Sequence, residues 1–414
     1  MNIYLIIILT ILLVDYVLDF IVDHLNIKNI DPNLPPEFAG YYDAAKYRRS
    51  QEYLKENTNF GLFTNTFFTV ITILFVLLGG FNLVDLVARH FRQSEIITGL
   101  IFAAIMIFGS QVLSLPFSVY GTFVIEEKYG FNRTTVKTFI LDILKSWLLT
   151  ALIGGAAFAL VIWFFARSGA WAWVYCWLAL TVFELFITFI APVVIMPLFN
   201  KFIPLPEGEL RSAIEDYARK QGFKMKGIFT MDGSRRSSKS NAFFTGFGRF
   251  RRIVLFDTLI EKHMIVELVT VLAHEIGHYK KKHIFKQILL SLTISAIMLF
   301  ILSRFINNPG LFQAFRMQEI SIYASLFFFG FLFSPLNLFF SILGNQLSRR
   351  YEYEADAYAV STAGQPEAMI TALKKLTVDN LGNLTPHPLN VFLHYTHPPV
   401  LERIKAIRKL SAKP

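Results

Sequence analysis

Cysteine is all but missing from this chain: Cys176 is the sole example among 414 residues. No intrachain disulfide can form and Cys-rich zinc knuckles are excluded, so any metal must be held by His and carboxylate. Charge is also scarce, with Asp, Glu, Lys and Arg making up 17% of the chain where ordinary soluble domains carry about 25%. No internal repeat or low-complexity tract stands in the polar parts, which removes disorder and fibrous folds. Apolar residues fill the space instead, at 54% of the chain, and 43 of them are Phe. That is too many for one hydrophobic core and natural for helices that face lipid. The chain reads as an integral membrane protein.

Seven apolar stretches approach or exceed the roughly 20 residues a helix needs to cross a bilayer. They lie at 3–21, 60–86, 96–115, 141–165, 171–196, 284–305 and 320–347. The first has neither the basic start nor the small-residue cleavage site of a secretory signal, so it is expected to stay as a span. The chain then divides into 1–200 with five spans, a polar segment 201–283, a span pair at 284–347 and a C-terminal helical segment 348–414. Within the polar segment, 227–231 and 252–256 read as short strands and 243–245 as a third between them, bounded by turn signals. From about Met264 the spacing turns helical, with Val266, Val269, Ala273 and Ile276 on one side. The expected fold is mainly α, a polytopic bundle of seven transmembrane helices with a small α+β domain attached.

The net charge of +10 invites a nucleic-acid partner, but the distribution of the basic residues decides against one. Loops on alternate sides of the spans carry 33 Lys and Arg against 5, with Lys145 and Lys286 left inside spans. By the positive-inside tendency both soluble segments are cytoplasmic and the N-terminus is outside. Four acids fall within spans: Asp15, Asp19, Asp142 and Glu184. Burial against lipid would cost several kcal/mol, so they are expected to face the bundle interior or water. In a solid bundle they would suggest an ion relay and a transporter, whereas a water-filled interior accommodates them without a catalytic role.

His274-Glu275-Ile276-Gly277-His278 is an HExxH motif within the helical stretch. A spacing of four puts both imidazoles on one helix face where they can share Zn²⁺, and Glu275 can take a proton from water at the metal. Composition alone yields about 0.01 such matches per chain, so chance is a poor explanation. A catalytic zinc wants a third protein ligand and an open position. After the seventh span the chain reads Ser348-Arg349-Arg350-Tyr351-Glu352-Tyr353-Glu354-Ala355-Asp356, with Glu352 and Asp356 one helical turn apart. Glu352 would complete the ligand set and Asp356 would accept a ligand imidazole N–H. A charged helix whose Arg349 and Arg350 pair with these acids at the surface stays open as the other reading.

Taken together these residues resemble the type I CAAX prenyl protease family, integral membrane zinc metalloproteases with seven spans. The likeness covers nearly the whole chain. It is carried by the span count, the HExxH motif before the sixth span and Glu352 and Asp356 after the seventh. Ser240-Asn241-Ala242-Phe243 and His397-Pro398-Pro399 with Glu402-Arg403 add to it. The resemblance implies one Zn²⁺ per chain held by His274, His278 and Glu352, with Glu275 as general base and His397 and Arg403 near the site. It also implies a large water-filled chamber enclosed by the spans, with proteolysis inside it.

His397 and Arg403 are then candidates to stabilise an oxyanion or to hold a substrate carboxylate; His387 and His394 are expected to be loop residues. Asn241, Ala242 and Phe243 match the segment on which an extended substrate adds as a strand, although an inner strand with Phe in the core would read the same way. The implied activity is endoproteolysis near the C-terminus of isoprenylated peptides delivered by the membrane lipid. The membrane is the endoplasmic reticulum in a eukaryote or the inner membrane in a bacterium. A quality-control membrane metalloprotease without prenyl specificity is the second expectation, though its relatives have fewer spans. A transporter is the third, and the intact HExxH argues against it.

Overall fold

The computed structural model describes residues 2–245 and 251–412. Among them are seven helices long and apolar enough to cross a membrane: Ile3–Lys28, Ala44–Leu77, Glu95–Glu126, Val136–Arg167, Gly169–Phe199, His283–Phe305 and Ile322–Ala363. The apolar run 60–86 is not one span. Gly79 takes a left-handed φ of +77°, which ends the second span, and Gly80–His90 forms a separate helix that buries Phe81, Val84, Asp85 and Ala88. Several spans also reach beyond their apolar runs, because a helix that leaves the bilayer continues with polar side chains in water. The seventh is the extreme case. Ile322–Ala363 is one unbroken helix of 42 residues, so Glu352 stands about 45 Å from its start at 1.5 Å per residue, well past a hydrocarbon layer of about 30 Å.

The spans close on themselves. The first packs on the second, the second meets the third through the wide turn Gly121–Glu126, and neighbours follow in order until the seventh returns to the first. Little of each span is buried, from 6% to 22% of its most apolar window, because the outer faces carry exposed Leu, Val and Phe and the inner faces line open space. One cavity of about 1000 Å³ between the first, second, third and seventh spans is lined by Asp15, Phe68, Met106 and Ser334. The acids inside the spans find polar partners. Ser334 donates to Asp15 at 2.5 Å, Asn65 to Asp19 at 3.4 Å and Ser291 to Glu184 at 3.2 Å. Asp142 receives two bonds from Arg236 of the polar segment, at 2.7 and 3.0 Å, which ties the fourth span to the soluble part.

The polar segment folds around a four-stranded sheet in the order β1-β2-β4-β3, with β1 at Phe202–Pro204, β2 at Gly227–Met231, β3 at Ala242–Thr245 and β4 at Arg252–Phe256. β2 and β4 run parallel and the other pairs are antiparallel. β2 and β4 stand at the bounds read from their flanking turn signals, and β3 begins one residue earlier. β1 escaped notice because three residues ending in Pro carry no period. The motif helix, Ile265–Lys280, buries Leu268, Leu272, Ala273 and Ile276 in the core of this domain. Of the residues read as one side of this helix, Ala273 and Ile276 are buried while Val266 is exposed at the helix start.

Candidate active site

Three elements converge on the motif. The helix Ile265–Lys280 begins where Glu267 accepts the backbone N–H of Met264 at 2.9 Å, satisfying an otherwise orphaned donor. It lies against the outer part of the seventh-span helix, and Gly277 makes the close approach possible. A Cβ built there would stand 3.1 Å from both Cα and the carbonyl oxygen of Ala355, backbone atoms that cannot turn aside. The helix Val400–Ser411 closes the third side with buried Arg403, Ile404 and Ile407.

The outcome is a tight donor set. One ligand atom each from His274, His278 and Glu352 lies within 4.8 Å of the others. Nε2 of His274 and Nε2 of His278 are 3.1 Å apart, and Glu352 places Oε2 3.4 Å from the first and Oε1 3.2 Å from the second. His274 donates its outer Nδ1–H to Asp356 Oδ1 at 2.8 Å, which leaves the Nε2 lone pair turned inward. Arg403 clamps the same carboxylate through Nη2 at 2.6 Å and Nε at 2.9 Å. Nη1 of Arg403 is 3.2 Å from Glu352 Oε2, yet that buried oxygen receives no well-aligned hydrogen bond. A buried carboxylate oxygen without a donor is costly, and a divalent cation among the three atoms would remove that cost. The residues fit a metal of the kind bound by two His and one Glu.

Electrostatics agree with this geometry. Burial disfavours the charged ring of His274, but the adjoining Asp356 and Glu352 outweigh it and draw its pKa up to about 9. The same two carboxylates that favour a proton on this ring would favour a cation beside it. Enclosure raises the pKa of Glu275, burial being the main cause, and moves a carboxylate toward the range useful to a base near neutral pH. His397 is 64% exposed toward the cleft with Nε2 3.4 Å from Glu352 Oε1. The surface pairing left open for Arg349 and Arg350 takes another form. Arg349 donates to the carbonyls of Val391 and Tyr395, and Arg350 pairs with Glu354 rather than with Glu352 or Asp356. His387 accepts the backbone N–H of Leu389 as a helix cap.

Asn241 and Ala242 line the same cleft of about 210 Å³ as His274, Glu275, Glu352, His397 and Arg403. β3 is an outer strand of the sheet, and Ala242 sits in the widely spaced register opposite Leu255, so its N–H points away from β4. That N–H is taken by Oδ1 of Asn241 at 2.8 Å. Val271, Leu373 and Leu376 give the cleft an apolar wall.

Spacing rules had no means of finding His283. It lies five residues after His278, across a reversal at Lys282, yet its Nδ1 is 3.1 Å from His278 Nδ1.

A ring of seven spans joined to a two-His, one-Glu cluster with a neighbouring Glu defines a membrane-embedded metallopeptidase. Residues 204–411 match peptidase family M48 and residues 23–201 match the CAAX prenyl protease N-terminal region of five membrane helices. The chain belongs to the CAAX prenyl protease group of family M48. A CAAX prenyl protease 1 homolog of Arabidopsis thaliana is 36% identical, over 91% of this chain and 90% of that one. The Homo sapiens homolog is 32% identical over 92% and 89%. The crystal structure of S. mikatae Ste24p superposes with a TM-score of 0.92 at 32% identity, covering 98% of this chain and 99% of that one. The fold expected from the sequence, the membrane character and the metallopeptidase activity all stand.

Proposed function

We propose that the chain is a zinc-dependent endopeptidase that cleaves isoprenylated CAAX-type peptides near their C-terminus, inside the space enclosed by the spans. The observation that carries it is the convergence of His274, His278 and Glu352 beside the enclosed Glu275. Zinc held there would supply a Lewis acid for the scissile carbonyl and lower the pKa of bound water toward neutrality. Glu275 takes the proton from the attacking water and hands it to the leaving amine. Asp356 holds the His274 tautomer, and buried Arg403 keeps Asp356 ionised and aimed, so Arg403 acts by positioning rather than by touching substrate. His397, exposed in the cleft with Nδ1 2.9 Å from Thr396 Oγ1, is placed to donate from Nε2 to the developing oxyanion, a contact worth about 3 kcal/mol in such sites.

The substrate backbone adds to the free edge of β3, where Asn241 gives up the Ala242 N–H to a substrate carbonyl and Phe243 keeps the strand on β4. Main-chain pairing binds any sequence, so selectivity must come from elsewhere. The relatives are named for CAAX prenyl proteins, and lipid-facing spans around an inner cavity suit a lipid-modified chain. The Lys and Arg asymmetry supports an arrangement with the protease segment and C-terminus cytoplasmic. The deciding experiment compares cleavage of a farnesylated CAAX peptide with its unprenylated twin. Preference for the farnesylated peptide supports the reading. Equal cleavage of both replaces it with a membrane metalloprotease without prenyl specificity.

A further inference from the structure

We propose that His283 and Glu354 are positioning residues for the metal, holding His278 in the tautomer that turns its Nε2 lone pair toward the cation. The inference rests on the reading of His274, His278 and Glu352 as the metal site and adds to it two residues and a direction for every proton.

With both rings neutral, as metal ligation requires, the chain of contacts allows one consistent assignment. An ionised carboxylate only accepts, so Glu354, whose Oε2 is 3.2 Å from His283 Nε2, must receive the N–H on that nitrogen. Neutral imidazole carries one N–H, which leaves His283 Nδ1 as an acceptor. Nδ1 of His278, 3.1 Å away, is then the donor, and its Nε2 keeps a free lone pair facing His274 and Glu352. Reversing either link of the His278–His283–Glu354 relay would set two donors or two lone pairs against each other. In the assigned state the Nε2 lone pairs of His274 and His278 face one another at 3.1 Å, which a cation between them would satisfy. His274 reaches the same state by a shorter route, through Asp356.

The fold invests in this placement. Lys282 adopts a left-handed φ of +58°, a conformation unfavourable for a non-glycine residue, and the reversal it makes delivers His283 back beside the motif. The His283 side chain is 1% exposed. Its ring stacks on Tyr351 at 4.2 Å and 11°, one residue before the ligand Glu352. Glu354 is itself steadied by Arg350 Nε at 3.0 Å. His283 opens the sixth span and Glu354 belongs to the seventh-span helix, so the relay also makes the geometry of His278 depend on how those two spans sit together.

The test measures zinc affinity of the full-length chain in detergent micelles by competition with a chromophoric chelator. His283→Phe keeps a ring against Tyr351 but offers no acceptor, and should bind zinc about 10- to 100-fold more weakly. His283→Asn returns an acceptor oxygen close to the position of Nδ1 and should recover most of that loss. Glu354→Gln, still an acceptor but uncharged, should fall between them. The unfolding midpoint in EDTA should fall no further in His283→Phe than in His283→Asn, because Phe keeps the ring against Tyr351 and only the loaded site depends on the tautomer of His278. Unchanged zinc affinity in His283→Phe overturns the proposal, as does an equal loss in Phe and Asn variants together with a lowered midpoint in EDTA, which would make His283 a packing residue. Should the wild-type chain itself take up no zinc, the metal site is what fails.

Discussion

The two ends of the membrane bundle are both closed by dense packing, in opposite chemical styles. Far from the site, Phe81 of the helix Gly80–His90, Phe102 of the third span, Phe312 and Phe315 of the connection between the sixth and seventh spans and Phe328 of the seventh share one core, with Phe315 and Phe328 stacked at 3.8 Å. The buried carboxylate there, Asp85, is satisfied by Tyr323 Oη at 2.5 Å and Arg89 Nε at 2.8 Å. At the site end the core of Leu268, Leu272, Ile276, Ile404 and Ile407 is threaded by ionisable side chains, each of which needs the next: Arg403 to Asp356 to His274, and His283 to His278. Aromatic shape dominates the first region, with one paired carboxylate inside it, and direction dominates the second. A seal against leakage needs only contact, but a reaction needs lone pairs aimed within a few tenths of an ångström.

The comparison is most sharply tested at the site. Glu275→Gln should lower turnover by 10²- to 10⁴-fold, roughly the contribution of a positioned base, while zinc content stays at wild type. His274→Ala and Glu352→Ala should lose the metal together with activity. Loss of zinc from Glu275→Gln would break this division of roles.

At the opposite end, Phe328→Ala should cost about 3–5 kcal/mol of stability, read as a lower unfolding midpoint in detergent. Because the aromatic cluster only seals, zinc affinity of the folded fraction should not change. A Phe328→Ala protein that stays folded but binds zinc poorly would show that the two ends are coupled.

Gly277→Ala tests the site through shape alone. With Ala355 backbone atoms 3.1 Å from the new methyl, the two helices must part, at a cost of about 1–3 kcal/mol. His274 and His278 then move away from Glu352, so zinc affinity should fall although no ligand was touched. Normal affinity in Gly277→Ala would mean that the helices shift without opening the ligand set.

The smallest effect is expected at β3. Ala242→Pro removes an N–H that points to the free edge, so the pairing with β4 survives. Loss of one hydrogen bond of about 1 kcal/mol should weaken cleavage by about tenfold or less, alike for all peptides, with zinc intact. Unaltered turnover in Ala242→Pro would remove the added-strand arrangement.

Local spacing made much of this legible. Two His four apart on an apolar-patterned helix announced themselves, and β2 and β4 stand at the bounds their turn signals implied, because both signals are confined to a few residues. Gly79 was readable in principle as a breaker of the run 60–86, but its own hydropathy hides it within an apolar window. His283 carried no such signal, since five residues is no helical interval and its approach depends on a reversal at Lys282. Gly277 stood inside the motif, and nothing local says that its hydrogen faces Ala355.

By itself the sequence determined that this protein lives in a membrane, that it carries an HExxH helix and that acids after the seventh apolar run could complete a ligand set. Those properties are sums or short-range patterns of side-chain chemistry, and no distant contact can cancel them. Tertiary structure alone decided that the last span and the helix bearing Glu352 are one rod, that Arg403 clamps Asp356 behind His274, and that the outer edge of β3 opens on the same cleft. Each of these depends on two segments far apart in the chain meeting within hydrogen-bond reach, and only the packing of the whole chain sets that distance.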